Sequence, residues 1–200
     1  MVLIHTCTQE MLREHRAVFW MDAAIRFHSD NLTQIVSRAV NASGILTYDD
    51  SGHSCFSATH IGMYRYLPVR KAAAVKATMR GAGAVYIRRS RRVYESVVRW
   101  WVLCALVKDC MAPTTDLYCR FRGRDQYASC HRYDQSALNI LLVNSFPFDD
   151  VIYFNAAVKL GLLTVERGSS GNKTLFVCPA PGGNLTRASS QFFFAPDSKF

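Results

Sequence analysis

The stretch Cys130-His131-Arg132-Tyr133-Asp134-Gln135-Ser136-Ala137-Leu138 and on to Asn144 constrains the chain most, because a polar cluster opens there directly into an apolar helix. Ala137, Leu138, Leu141 and Leu142 fall at helical spacing, so Asp134 reads as the N-cap. A carboxylate, an imidazole and a guanidinium then surround one helix N-terminus, whose unpaired N–H groups and positive dipole end favour anions. Taken alone, these residues read first as a cap and second as a site for anion or acid-base chemistry.

Two hundred residues, 50% of them hydrophobic, supply one core-bearing domain and leave little room for a second. The expected domain runs over 1–178, and the Gly-, Pro- and Ser-rich stretch 179–200 reads as a loose tail. No run of eighteen apolar residues occurs, so no membrane segment is expected. The N-terminus carries Glu10, Arg13, Glu14 and Arg16 and lacks the apolar centre of a signal peptide.

The asparagines and cysteines point to a secretory route. Asn31, Asn41, Asn172 and Asn184 each begin an Asn-x-Ser/Thr triplet without proline, where chance supplies roughly one. Of the seven cysteines, Cys110, Cys119 and Cys130 share a loop-rich segment that a disulfide would constrain, and the odd total leaves at least one thiol free. Zinc is disfavoured, because the closest pair, Cys104 and Cys110, has five residues between them and no Cys-x-x-Cys occurs. A secretory chemistry without a secretory address leads to the expectation of an N-terminally incomplete chain.

The net charge of +9 concentrates in Arg88, Arg89, Arg91 and Arg92 and again in Arg120, Arg122 and Arg124. Such clusters attract a phosphate, a sulfated glycan or a nucleic acid, or serve as a solvated face. Nucleic acid is not expected as a partner, since no recognised binding motif is present.

Along the chain, Thr6 and Gln9 have capping-box spacing and predict a helix over Gln9–His15. Ala17-Val18-Phe19-Trp20-Met21 is apolar without alternation, as in a strand covered on both faces, and ends on Asp22. A helix capped by Ser29 or Asp30 is expected through Leu32, Ile35, Val36 and Val40, then a strand over Ile45–Tyr48. Asp49 to His53 reads as a turn, Thr59–Leu67 and Val69–Met79 as short helices around Pro68, and Gly83–Ile87 as a strand. The longest helix, over Arg91 to Lys108, is expected to be the central packing element. Asp109–Ser129 is a long loop, and Val151–Phe154, Leu162–Val165 and Leu175–Val177 read as late strands. This alternation predicts an α/β sandwich with a mainly parallel sheet, in which Asp22 stands at a carboxyl strand end where ligands bind.

Three elements taken together carry a resemblance: Trp20-Met21-Asp22 at a strand end, the Trp-rich helix leading to Asp109-Cys110-Met111-Ala112-Pro113, and Cys130-His131-Arg132-Tyr133-Asp134-Gln135-Ser136-Ala137. The chain resembles the glycosyltransferase-like domain of a group of mostly invertebrate animal proteins, similar in pattern to GT-A nucleotide-sugar transferases. The match covers roughly Ala17 to Phe146.

The resemblance implies a GT-A-like sandwich, lacking its N-terminal nucleotide-binding unit, that moves a sugar from a nucleotide-sugar donor to a glycan or glycoprotein acceptor in the Golgi lumen. Asp22 corresponds to the first carboxylate of the family's Asp-x-Asp and Ala24 stands at the second, so Asp22 is the expected ligand of a divalent cation such as manganese. Asp134 is the expected catalytic residue that orients or deprotonates the acceptor hydroxyl, with Gln135 assisting. His131 and Arg132 are expected to bind the donor phosphates. The other class of function on the same scaffold is a catalytically inactive glycan- or protein-binding module.

Overall fold

The computed structural model describes residues 2–28, 33, 36, 43–147, 149 and 151–165. The predicted helix near Leu32–Val40 falls mostly outside them. The strand at Leu175–Val177, the domain limit at 178, the tail from 179 and all four Asn-x-Ser/Thr asparagines lie outside them entirely. One compact unit spans Met1–Glu166.

Helix α1 (Val2–Glu14) begins earlier than the capping box implied, since neither Gly nor Pro interrupts that stretch. It leads into β1 (Ala17–Met21), placed where the apolar run ends on Asp22. All five β1 residues are only half-buried, so the strand is not covered on both faces as its sequence implied.

Three strands make the main sheet in the order β1, β6, β3, with β3 at Ile45–Thr47 and β6 at Ala84–Arg88. β1 pairs with β6 antiparallel from Ala17 opposite Arg88 to Met21 opposite Ala84, and β3 pairs with β6 antiparallel from Ile45 opposite Ile87. The expected mainly parallel sheet is therefore corrected. Among the described residues every named strand pair is antiparallel, and Thr47 with Phe154 forms an isolated parallel bridge. The physical reason is that β6 enters between β1 and β3. Those two strands run in the same direction but hydrogen-bond to β6 instead of to each other.

Two further two-stranded sheets join strands distant in sequence: β2 (Ile25–Phe27) with β7 (Leu163–Val165), and β4 (Asp50–Ser54) with β5 (Thr78–Arg80). The β4 segment was expected to be a turn. Its Asx bonds, Asp49 Oδ1 accepting from Asp50 N–H and Asp50 Oδ1 accepting from Gly52 N–H, are turn chemistry carried by an irregular strand. Met79, assigned to a helix by pattern, lies fully buried in β5 instead, because α2 (Lys71–Lys76) stops two residues earlier. The helix expected over Thr59–Leu67 is a shorter 3₁₀ turn, Ile61–Arg65, capped by His60.

The long helix is composite. α3 (Arg91–Val93) passes through a π turn (Tyr94–Val98) into α4 (Arg99–Ala105), and α5 (Lys108–Met111) follows separately. Val93, Val97, Trp101 and Cys104 face the core, while Trp100 keeps 44% of its surface exposed, the two rings dividing as a 100° step per residue requires. The central helix is instead α6 (Tyr133–Ser145), in which every residue from Ser136 to Val143 is buried. A helix apolar nearly all round belongs in the middle of a layer. Burying Leu138, Ile140 and Leu142 there contributes about 1.5–3 kcal/mol each. No helix among the described residues is long and apolar enough to cross a membrane.

Disulfides frame the loop before α6. Cys104 joins Cys110, tying α4 to α5, and Cys119 joins Cys130 across a separation of 11 residues. Cys7 is also disulfide-bonded, and Cys55 is a free, buried thiol. Such pairing belongs to an oxidising compartment.

Candidate functional site

Helix α6 positions the site from its first turn. Its N-cap residue is Arg132 rather than Asp134, and Tyr133 adopts φ 44°, a left-handed conformation that costs an L-residue about 1–2 kcal/mol. Strain of this kind persists only where surrounding bonds over-determine it. Here Ser136 Oγ accepts from Arg132 N–H at 3.1 Å and donates to the Ala58 carbonyl at 3.0 Å. The Trp101 indole N–H donates to the Asp134 carbonyl at 3.1 Å. The Gln135 N–H donates to the Arg132 carbonyl at 3.0 Å and closes the first turn.

Asp22 comes to the same place from the sheet. Its N–H donates to the Gly83 carbonyl at 2.7 Å, and its Oδ2 lies 2.9 Å from where a Cβ on Gly83 would stand. The carboxyl thus rests on a bare backbone. Burial pushes the Asp22 pKa up to about 6, and the charge of Asp134 adds to the rise. Asp134 is also raised, chiefly by burial and against its two backbone hydrogen bonds. The two carboxylates that the sequence singled out separately are therefore close enough to feel one another.

The rest of the predicted set is sorted by the same helix. Gln135 Nε2 donates to Ser51 Oγ at 2.7 Å, tying α6 to β4. Arg132 is half-buried, and its charge reaches His53 on β4. Burial lowers the His53 pKa first, the hydrogen bond to Ser54 opposes the fall, and the charges of Arg132 and Arg124 add to it. Its Nδ1 lies 3.2 Å from the Ser54 carbonyl, which can only accept, and the ring stacks on Phe121 at 4.5 Å. The place of His53 beside Arg132 comes from the β4 pairing that the turn-like sequence concealed.

His131, expected beside the donor phosphates, is fully buried: its Nδ1 accepts the His60 N–H at 3.2 Å, and its Nε2 donates to the Met111 carbonyl at 3.1 Å. Both ring nitrogens serve the backbone of two other segments. Burial lowers its pKa to about 4, and the nearby His60 lowers it further while the bond to Met111 opposes the fall. His131 holds the fold beneath the site.

No group of three or more His, Cys, Asp or Glu side chains arranged to hold a metal occurs among the described residues. Two clefts are open on the surface. The larger, about 560 Å³, is lined by His60, Tyr64, Arg65, Tyr66, Asp109 and neighbours. The smaller, about 300 Å³, lies between α1 and the end of β6. Neither is lined by Asp22 or Asp134. Comparison with family models, curated proteins and solved structures finds no match to this chain.

Proposed function

We propose that the chain is a GT-A-like glycosyltransferase domain of the secretory pathway, lumenal in the Golgi, that moves a sugar from a nucleotide-sugar donor to a hydroxyl of a glycan or glycoprotein. What supports this reading is a strand-end carboxylate, Asp22, and a helix-start carboxylate, Asp134, both with pKa values raised chiefly by burial, the charge of Asp134 adding to the rise at Asp22. The disulfides support the compartment. The antiparallel main sheet departs from the sandwich of that class, so the likeness rests on the site and the sequence pattern.

In this reading Asp134 takes the proton of the acceptor hydroxyl. Its upward shift brings a carboxylate closer to working pH, where a general base is most effective. The acceptor oxygen bonds to the anomeric carbon as the bond from that carbon to the diphosphate breaks, and the nucleoside diphosphate leaves with the electron pair. Arg132 neutralises charge on the departing phosphates. Gln135, held by Ser51, positions the first turn. A divalent cation held by Asp22 would supply charge neutralisation at the diphosphate.

The test is calorimetric titration of the folded chain with a panel of nucleoside diphosphates, with and without manganese. Saturation by one nucleotide, lost in Asp22→Asn, is the expected result, and Asp134→Asn should then cost about 10²–10⁴ in turnover with binding intact. Full turnover in Asp134→Asn removes its assigned role. A second reading, an inactive glycan- or protein-binding module, is favoured by one observation: both clefts lie away from the two carboxylates. Silence across the nucleotide panel selects it.

A further inference from the structure

The smaller cleft is built from a different part of the chain and has a chemistry of its own. Arg13, Arg88, Arg89 and Arg91 line it, with the polar groups of Gln9 and Tyr94 between them. Leu12, Val93 and Val98, all buried, supply an apolar floor. Arg88 lies opposite Ala17 at the start of β1, whereas Asp22 follows the far end of that strand. Five residues of extended chain separate the two by about 17 Å, so the cleft is independent of the carboxylate site.

Its cations are arranged rather than merely concentrated. Arg89 Nη1 donates to the Arg13 carbonyl at 2.8 Å, which fixes that guanidinium at the rim. Arg91 pairs with Glu95 at 2.8 Å and Arg13 with Glu10 at 3.4 Å, and the arginine side chains in these pairs are 89% and 69% exposed. Exposed pairs of this kind are worth about 0–1 kcal/mol, so an incoming anion exchanges for the glutamates at little cost. Gln9 Nε2 donates to the Tyr94 hydroxyl at 3.1 Å, leaving the Tyr94 O–H directed by that bond as a donor.

We propose that this cleft binds a sulfated glycan chain. Planar guanidinium groups match the oxygens of a sulfate ester in pairs. The amide and phenol suit sugar hydroxyls, and the apolar floor suits the C–H face of a sugar ring. A volume of about 300 Å³ exceeds what one tetrahedral anion fills. A polynucleotide fits less well, because single-strand sites add a series of stacking rings to their charge and the aromatic ring in this lining is that of Tyr94. The disulfides place the folded chain in compartments where sulfated glycans occur and nucleic acid does not.

The experiment is titration of the full chain with a sulfated hexasaccharide cut from heparin, the same hexasaccharide desulfated, inorganic sulfate, inorganic phosphate and a single-stranded DNA 12-mer. The expected result is saturable binding of the sulfated hexasaccharide, weakened about tenfold or more in Arg88→Gln/Arg91→Gln. Arg120→Gln/Arg122→Gln, which removes the same charge elsewhere, should change affinity less than about twofold. Equal loss in both pairs would mean diffuse attraction to a basic protein and overturns the proposal. It is likewise overturned if the desulfated sugar, either inorganic anion or the DNA binds as tightly, or if no ligand saturates. Circular dichroism checks folding. Should the first pair fail to fold, Arg13→Gln/Arg91→Gln, at two exposed positions, reads the same loss.

Discussion

The side chain of Asn139 hydrogen-bonds both backbone polar groups of Arg80: its Oδ1 accepts the Arg80 N–H at 2.7 Å and its Nδ2 donates to the Arg80 carbonyl at 2.8 Å. A buried amide on α6 thus completes the edge of β5 as a neighbouring strand would. Asn139→Ala should destabilise the fold by about 2–4 kcal/mol, since it leaves a buried N–H and C=O without partners and opens a cavity. Asn139→Asp should do no better, because it loses the donor and buries a charge. Chemical denaturation of the two variants checks this, and a loss under about 0.5 kcal/mol would show that the amide is dispensable.

His131 predicts a pH dependence of stability. Its folded pKa, about 4, lies below the ordinary 6.5, so between these values the unfolded chain binds a proton that the folded chain does not. Its contribution is fully present above pH 6.5 and is lost as pH falls toward 4, by roughly 3 kcal/mol in all. Raised carboxylates such as Asp22 act in the opposite sense over an overlapping range. The decisive comparison is therefore between the native chain and His131→Gln, whose stability should vary less steeply from pH 6.5 to 4. Identical slopes would remove His131 as the titrating group.

Asp22 should govern the site without governing the fold. With a pKa near 6 it is ionised above that value, so manganese-dependent nucleotide affinity should rise as pH passes upward through about 6 and lose that rise in Asp22→Asn. Gly83→Ala offers a second route. The new Cβ meets only the far end of the Asp22 side chain, so stability should change by less than about 1 kcal/mol while the carboxylate is displaced and affinity falls. Unchanged affinity in Gly83→Ala would separate Asp22 from the ligand.

Gly44 carries φ 77°, and a Cβ there would stand 3.0 Å from Val93 Cγ2. Both the left-handed backbone and the core wall oppose a side chain, so Gly44→Ala should cost about 1–3 kcal/mol. A melting curve is sufficient to measure it.

The places of Asp22 and Asp134 in the fold were legible because each carboxylate sits at a local punctuation mark. Asp22 ends an apolar run and Asp134 opens an apolar helix, and both signals are confined to a few neighbouring residues. What could not be read depends on distant partners. The resemblance put His131 beside the donor phosphates, but it could not show that His60 and Met111 make the environment of its ring. β4 was hidden because Asp50-Ser51-Gly52-His53-Ser54 has the composition of a turn, and only pairing with β5 makes it a strand. The apolar runs at Ala17–Met21 and Ile45–Thr47 were legible as strands, but such runs do not decide which neighbour a strand takes. β6 shows this by entering between β1 and β3.

Cys55 lies at 0% exposure with its thiol directed at Asn139 Oδ1, 3.8 Å away, while the bonded cysteines 104, 110, 119 and 130 lie in other segments. Thiol–disulfide exchange needs a thiolate that can reach a sulfur, and burial denies Cys55 that reach. During oxidative folding the same thiol is an open reactant until α6 docks and covers it. Docking of the central helix therefore acts as the quench of the reaction: before it, wrong pairings can still be undone from within the chain; after it, the pairing is kept by kinetics.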